Sequence, residues 1–274
     1  MLDQVIAWHI PGSVESVQHW RRLAAGEVAV HRIDLRMGCG DLEGVEGVLS
    51  PDERERAARF CFAGQRERFV LARSFLRVVL SRYGAGRPKE IRLSYGPKGK
   101  PALVSGAGLE FNLSHSGDVA LVAVARGSAV GIDVERIRPN PNGCTIASRF
   151  FSPREAEALR RVPAAETSAA FYRCWTRKEA YVKARGEGLS LPLDSFEVSL
   201  EMRGFSLLLA TRPDPEEARR WWVMDLNVGS GYAAALAIER RVKCVRCVGI
   251  SAERPARVQV RQRAPSGAAR GCAE

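Results

Sequence analysis

The stretch "VGIDVERI", Val130 to Ile137, sets two carboxylates two residues apart inside an apolar run. In an extended strand, residues i and i+2 share a face, so Asp133 and Glu135 stand side by side while Ile132 and Val134 point into a core. Two adjacent anions repel. The pair is stable only if both are solvated at a strand end, or if a cation or a proton lies between them. A second pair lies in "WTRKEAYVKARGEGL", Trp175 to Leu189. Its apolar spacing is helical, and Glu179 and Lys183, at i and i+4, share one face with Trp175. Taken alone, that pair reads as a surface salt bridge worth about 0.3 kcal/mol. Taken with Asp133 and Glu135, three carboxylates and a lysine suit a divalent cation such as magnesium that holds phosphates, with Lys183 neutralising phosphate charge.

Two further stretches carry polar groups suited to an anion. In "FNLSHSGD", Asn112, Ser114, His115 and Ser116 crowd a strand end that opens into a tight turn at Gly117; such a turn offers N–H groups and hydroxyls to a phosphate. A lone histidine is more often structural, so His115 gains its meaning from this company. In "YGPKGKPAL", Gly99-Lys100-Pro101 forces an extended polar loop before a strand, which is either an ordinary connection or a rigid mount for a phosphate-binding lysine. Upstream, "SPDERERAARF" and "GQRERF" mix arginines, Arg56 and Arg68 among them, with acids as a solvated helix does; some are placed to form a basic rim.

The elements that must position these residues read as α+β. A helix-like "RFVLARSFLRVVLSRYG", a short strand "EIRLS" and a hairpin "NLSHSGDVALVAVA" are followed by a second helix "AAFYRCWTRKEAYVKARGEG", strand "SFEVSL" and hairpin "MDLNVGSGYAAALAIE". The hairpins align with Gly117 over Gly231, 114 residues apart. Order and spacing together predict a duplicated unit. The expected organisation is an N-terminal α+β subdomain over 1–130, a C-terminal one over 131–240, and a basic, disordered tail over 241–274. "VGIDVERI" falls where one unit passes to the next, a natural place for a cleft.

Bulk properties narrow the class. The 274 residues carry a formal charge of +11, but the tail from Arg241 holds eight Lys/Arg against two Asp/Glu, so the body is only mildly basic. That balance suits a protein handling a phosphate-rich small molecule or an acidic partner as well as one that binds DNA. A non-catalytic anion or nucleic-acid binder driven by the tail, and a magnesium-dependent nucleotide phosphohydrolase, are the alternatives. No run reaches the roughly 20 apolar residues of a membrane span, and the N-terminal "VIAWHI" is too short for a signal. Seven cysteines in no disulfide-framework spacing fit a reducing, cytoplasmic setting. The "CVRC" of Cys244 and Cys247 has no second ligand pair for zinc.

The motifs "GKP", "NLSHS", "GIDVE" and "WTRKEAYVK", in this order and with "FFSPREAEAL" and "GLSLPLDSFEV" in place, resemble the Sfp-type 4′-phosphopantetheinyl transferases, from about Leu49 to Glu239. The resemblance implies a pseudo-dimer of two similar α+β halves with the active site between them, monomeric and cytoplasmic. It implies transfer of phosphopantetheine from coenzyme A to a serine of an acyl or peptidyl carrier protein, releasing adenosine 3′,5′-bisphosphate, with no nucleic acid or membrane involved. Asp133, Glu135 and Glu179 would surround magnesium, and Glu179 and Lys183 would be catalytic. Coenzyme A would lie against Lys183, Ser114, His115, Lys100 and Pro101, with Arg56 and Arg68 near its 3′-phosphate. The segment from Arg136 to Arg161, with Phe150, Phe151, Arg154 and Leu159, is the expected docking surface for the carrier.

Overall fold

The computed structural model describes residues 8–9, 23–36, 42–104, 108–201, 208–240 and 242–250. In chain order its strands and helices are β1 (Trp8–His9), β2 (Glu27–Asp34), α1 (Leu42–Glu46), α2 (Pro51–Ala58), α3 (Ala63–Arg82), β3 (Leu93–Tyr95), β4 (Pro101–Leu103), β5 (Leu109–Ser116), β6 (Val119–Arg126) and β7 (Val130–Arg136). They continue with α4 (Gly143–Phe150), α5 (Pro153–Arg160), α6 (Ala164–Arg185), β8 (Phe196–Val198), β9 (Leu208–Thr211), α7 (Glu217–Arg220), β10 (Trp221–Asp225), β11 (Tyr232–Glu239) and β12 (Cys244–Ile250). The larger sheet runs β1-β12-β2-β6-β5 and the smaller β10-β11-β7.

The duplication is visible in the registers. Strand β2 pairs antiparallel with β6, setting Asp34 opposite Val119 and Arg32 opposite Leu121. Strand β7 pairs antiparallel with β11, setting Glu135 opposite Ala233 and Asp133 opposite Ala235. Val119 and Ala233, like Leu121 and Ala235, are 114 residues apart, the offset of the hairpin glycines. Each unit is therefore a strand, three helices, and a hairpin that returns beside the strand. "VGIDVERI" opens the second unit, and its counterpart "EVAVHRID" opens the first. Gly117 and Gly231 have φ of 56° and 78°, a left-handed conformation that glycine adopts without a Cβ clash.

Each unit also has the same helix start. Ser50-Pro51-Asp52-Glu53 and Ser152-Pro153-Arg154-Glu155 place serine at the N-cap, proline in the first turn and glutamate three residues on. Each glutamate accepts from the serine backbone N–H, at 3.1 and 2.8 Å, which satisfies a donor the helix cannot. Both glutamates are buried and meet cations from the following long helix. Glu53 takes Arg73 and Arg77 of α3, and Glu155 takes Lys178 of α6. Breaking either buried pair costs about 3–5 kcal/mol, because the partner charge is left without compensation.

Apolar faces of both sheets meet in one core containing Val28, Val30, Leu121, Ile132, Val134, Leu236 and Ile238. Val245 and Cys247 of β12 belong to it. The expectation of a disordered tail from residue 241 is thus corrected for Cys244–Ile250: β12 is a parallel strand between β1 and β2, because its alternate apolar side chains complete that core. Residues 251–274 lie outside the described residues. Among the described residues no helix is long and apolar enough to cross a membrane.

Candidate active site

Strands β5 and β7 are edges of different sheets, and polar side chains lace them together. Ile132 N–H donates to Asn112 Oδ1 (2.9 Å), Val134 N–H to Ser114 Oγ (3.3 Å) and Arg136 N–H to Ser116 Oγ (3.1 Å). The alternation Asn-x-Ser-x-Ser therefore replaces a backbone ladder with side-chain acceptors, and it leaves the hydroxyls free to donate. Ser114 donates to Asp133 Oδ1 (3.0 Å) and Ser116 to Glu135 Oε2 (2.7 Å). The serine spacing thus fixes both carboxylates on the face where the sequence places them.

Helix α6 supplies the third carboxylate. It can lie directly on β7 because residue 131 is glycine: a Cβ there would stand 2.1 Å from Ala180 O and 2.3 Å from Ala184 N. The helix is held in rotation by its buried cations. Lys178 Nζ donates to Leu193 O and Phe196 O, and Arg177 binds Asp225, Ser199 O and Glu201 O. With Arg177 and Lys178 committed to the core, Glu179 and Lys183 face the pocket.

In that setting Lys183 Nζ donates to Asp133 Oδ1 (2.5 Å) and Ser114 Oγ (3.1 Å). Asp133 Oδ2 is buried and has no hydrogen-bond partner. Desolvation and the Asp133 charge raise the Glu179 pKa, with Glu135 adding repulsion; desolvation, then Asp133, does the same for Glu135 against its Ser116 bond. Among the described residues no three His, Cys, Asp or Glu side chains are drawn together as a metal cage; Lys183 lies on the carboxylate that two of them would share. Even so, the residues fit a hard cation: an all-oxygen set with one orphaned oxygen and mutual repulsion is the donor chemistry magnesium takes.

Beside these groups lies a pocket of about 290 Å³, lined by the Lys98–Pro101 loop, Asn112, Glu179, Lys183 and Gly188 among others. Pro101 is on the pocket wall. Lys100 is engaged differently from expectation. Its Nζ donates to Val130 O (3.1 Å) and Ala184 O (2.8 Å), tying the loop to the start of β7 and the end of α6. One N–H of the ammonium remains for a ligand, and desolvation lowers its pKa. Gly186 and Gly188 admit this loop closely, since a Cβ on either would stand 3.2 Å from Lys100 or Lys98.

His115 is exposed. Desolvation, then the positive charges of Lys183 and Arg56, hold its pKa below the usual value; with the residue open to water, the two cations are the firmer cause. Arg56 stacks over Phe69 at 5.3 Å, and Arg68 donates to Asp118 (3.0 Å) at the hairpin turn. In the expected docking segment, Phe151 and Leu159 are buried in the core. Phe150 and the arginines remain outside, with Arg160 and Arg161 paired to Glu157. Asn112 and Ser116 read in the sequence as groups offered to an anion; the structure engages Asn112 Oδ1 with the Ile132 N–H and Ser116 with Glu135 and the Arg136 N–H, a cross-strand role that their period-2 spacing in an edge strand signals.

Comparison with known proteins agrees with this geometry. The model of the 4′-phosphopantetheinyl transferase superfamily matches residues 129–237, and that of the 4′-phosphopantetheinyl transferase N-terminal domain matches 40–127. The chain is 37% identical over 220 residues to the 4′-phosphopantetheinyl transferase HetI of Nostoc, covering 79% of this chain and 89% of the relative. To Sfp of Bacillus subtilis it is 37% identical over 189 residues, covering 69% and 81%; to AcpT of Salmonella typhimurium, 44% over 110 residues, covering 40% and 56%. With these matches and its duplicated α+β units, the chain belongs to the 4′-phosphopantetheinyl transferase superfamily, and to its Sfp type.

Proposed function

We propose that this protein transfers the 4′-phosphopantetheine group from coenzyme A to a serine of an acyl or peptidyl carrier protein in the cytoplasm. The observation that carries the reading is the meeting of Asp133, Glu135, Glu179 and Lys183 beside a lysine-walled pocket. The pocket takes the nucleotide end of coenzyme A, with Lys100 and Pro101 on its wall and Ser114, His115, Lys183, Arg56 and Arg68 toward the phosphates. Asp133, Glu135 and Glu179 would hold magnesium, which when bound withdraws charge from the pyrophosphate.

The chain's own groups account for the rest. The serine hydroxyl of the carrier attacks the phosphorus that bears the pantetheine arm; a new P–O ester forms and the bond to adenosine 3′,5′-bisphosphate breaks. Glu179, with a raised pKa, receives the serine proton directly or through water. Lys183 swings from Asp133 to the phosphates and stabilises the charge growing on the departing bisphosphate. Intact-protein mass spectrometry of apo-carriers incubated with coenzyme A and magnesium tests this. One phosphopantetheine added per carrier supports it; bisphosphate released without any carrier points to a hydrolase.

A further inference from the structure

We infer that Asn112 is a substrate-contacting residue, donating a side-chain N–H to a phosphoryl oxygen of the nucleotide end of coenzyme A; this rests on the reading above. Asn112 is buried and lines the pocket. Its Oδ1 is committed, since only an acceptor can face the Ile132 N–H 2.9 Å away. That bond fixes the amide orientation and turns Nδ2 the other way, where it has no hydrogen-bond partner among the described residues. Nδ2 is not sealed in the interior, so it opens on the pocket, where a ligand oxygen can take its N–H donors.

The surroundings select the ligand group. Lys98, Lys100 and Lys183 line the same pocket and can only donate, while Glu179 is the single carboxylate on its wall. Three lysines against one carboxylate give the pocket a positive balance that favours an anionic phosphoryl group over an uncharged purine edge. Asn112 also reaches, through Ile132, the strand position just before Asp133. The same side chain that grips the nucleotide therefore steadies the backbone of the acidic site.

The test is Asn112→Asp, which keeps an oxygen for Ile132 and replaces the donor with an anion. Coenzyme A affinity by calorimetry should fall about 10- to 100-fold, with KM for coenzyme A raised in step; the ligand-free melting temperature should fall as well, because the new carboxylate is buried, and a contact is told from a fold defect by the resonance measurement below. Wild-type affinity in this variant overturns the inference. A measurement on the unaltered chain stands beside it. The Asn112 side-chain amide resonance should shift on adding coenzyme A and stay in place with adenosine alone; no shift with coenzyme A, or an equal shift with adenosine, overturns the phosphoryl contact. If the wild type neither binds coenzyme A nor modifies a carrier, the functional reading falls first. If it does both and Asn112 is indifferent, only this inference falls.

Discussion

Glu53 and Glu155 hold the same place in the two halves of the chain, and what surrounds them differs in a way that locates the chemistry. Each caps a helix and binds a cation from the next long helix. Setting Arg77 against Lys178, the cations they share in role, puts Val78 opposite Glu179 and Arg82 opposite Lys183. The strand registers put Arg32 and Asp34 opposite Asp133 and Glu135, and Val30 opposite Gly131. In the first half a valine occupies the inner strand and an arginine replaces the first carboxylate; Arg32 donates to Val228 O, and Asp34 is bonded by Arg36. The second half has no side chain at residue 131, so α6 lies on β7 and brings Lys183 onto Asp133, with Glu179 on the pocket wall. One scaffold is used twice, and in the second half a glycine lets the helix approach the strand that carries Asp133 and Glu135.

Making the second half resemble the first should have the largest effect. Gly131→Val drives a side chain into the Ala180 carbonyl and should cost about 3 kcal/mol or more in urea unfolding, with transfer lost. Next in size, Asp133→Asn should lower kcat by at least about 100-fold with the fold retained. Arg32→Gln, at the matching position, should keep transfer within about threefold of wild type. Equal losses from both changes would erase the asymmetry.

The capping glutamates sharpen the comparison through pH. Desolvation alone would raise the Glu53 pKa, but Arg73 and the Arg77 bond outweigh it and hold it below the usual value. A carboxylate depressed in the folded state contributes stability that is present above its unfolded pKa and lost as pH falls through the folded one. Thermal melts from pH 7 down to about pH 3 should therefore show wild type losing stability more steeply in acid than Glu53→Gln, which is less stable at neutral pH.

Substitutions on the pocket wall should act more mildly. His115→Ala should raise KM for coenzyme A about 10-fold and spare kcat. Lys100→Met should do the same and also lower the melting temperature, since Lys100 joins the first half to β7 and α6. The smallest effect concerns the carrier. Charge reversal at Arg154, Arg160 and Arg161 should raise the KM for an acidic carrier by a few-fold, and added salt should weaken the wild type more than the variant.

Much of this arrangement is legible in the sequence because it is local. The shared face of Asp133 and Glu135 follows from strand period, that of Glu179 and Lys183 from helix period, and the hairpin repeat from two glycines in like surroundings. What stayed hidden is long-range. Strand β12 pairs with residues more than 200 positions earlier, and its "CVRCVGI" sits among arginines, so nothing nearby marks it as core. The correspondence of "HRID" with "IDVE" is one of register and leaves no shared residue pattern. The two carbonyls that hold Lys100 come from β7 and α6, and nothing in its local sequence announces them. The same holds for Phe151 and Leu159, whose burial depends on how α5 and α6 pack.

The central claim is that the duplicated scaffold carries one acidic metal-and-phosphate site, in its second half. Equilibrium titration with manganese, followed by electron paramagnetic resonance in the presence of coenzyme A, tests it most directly. The account predicts one ion bound per chain, lost in Asp133→Asn and retained in Asp34→Asn. Two ions per chain, or unchanged binding in Asp133→Asn, would contradict it.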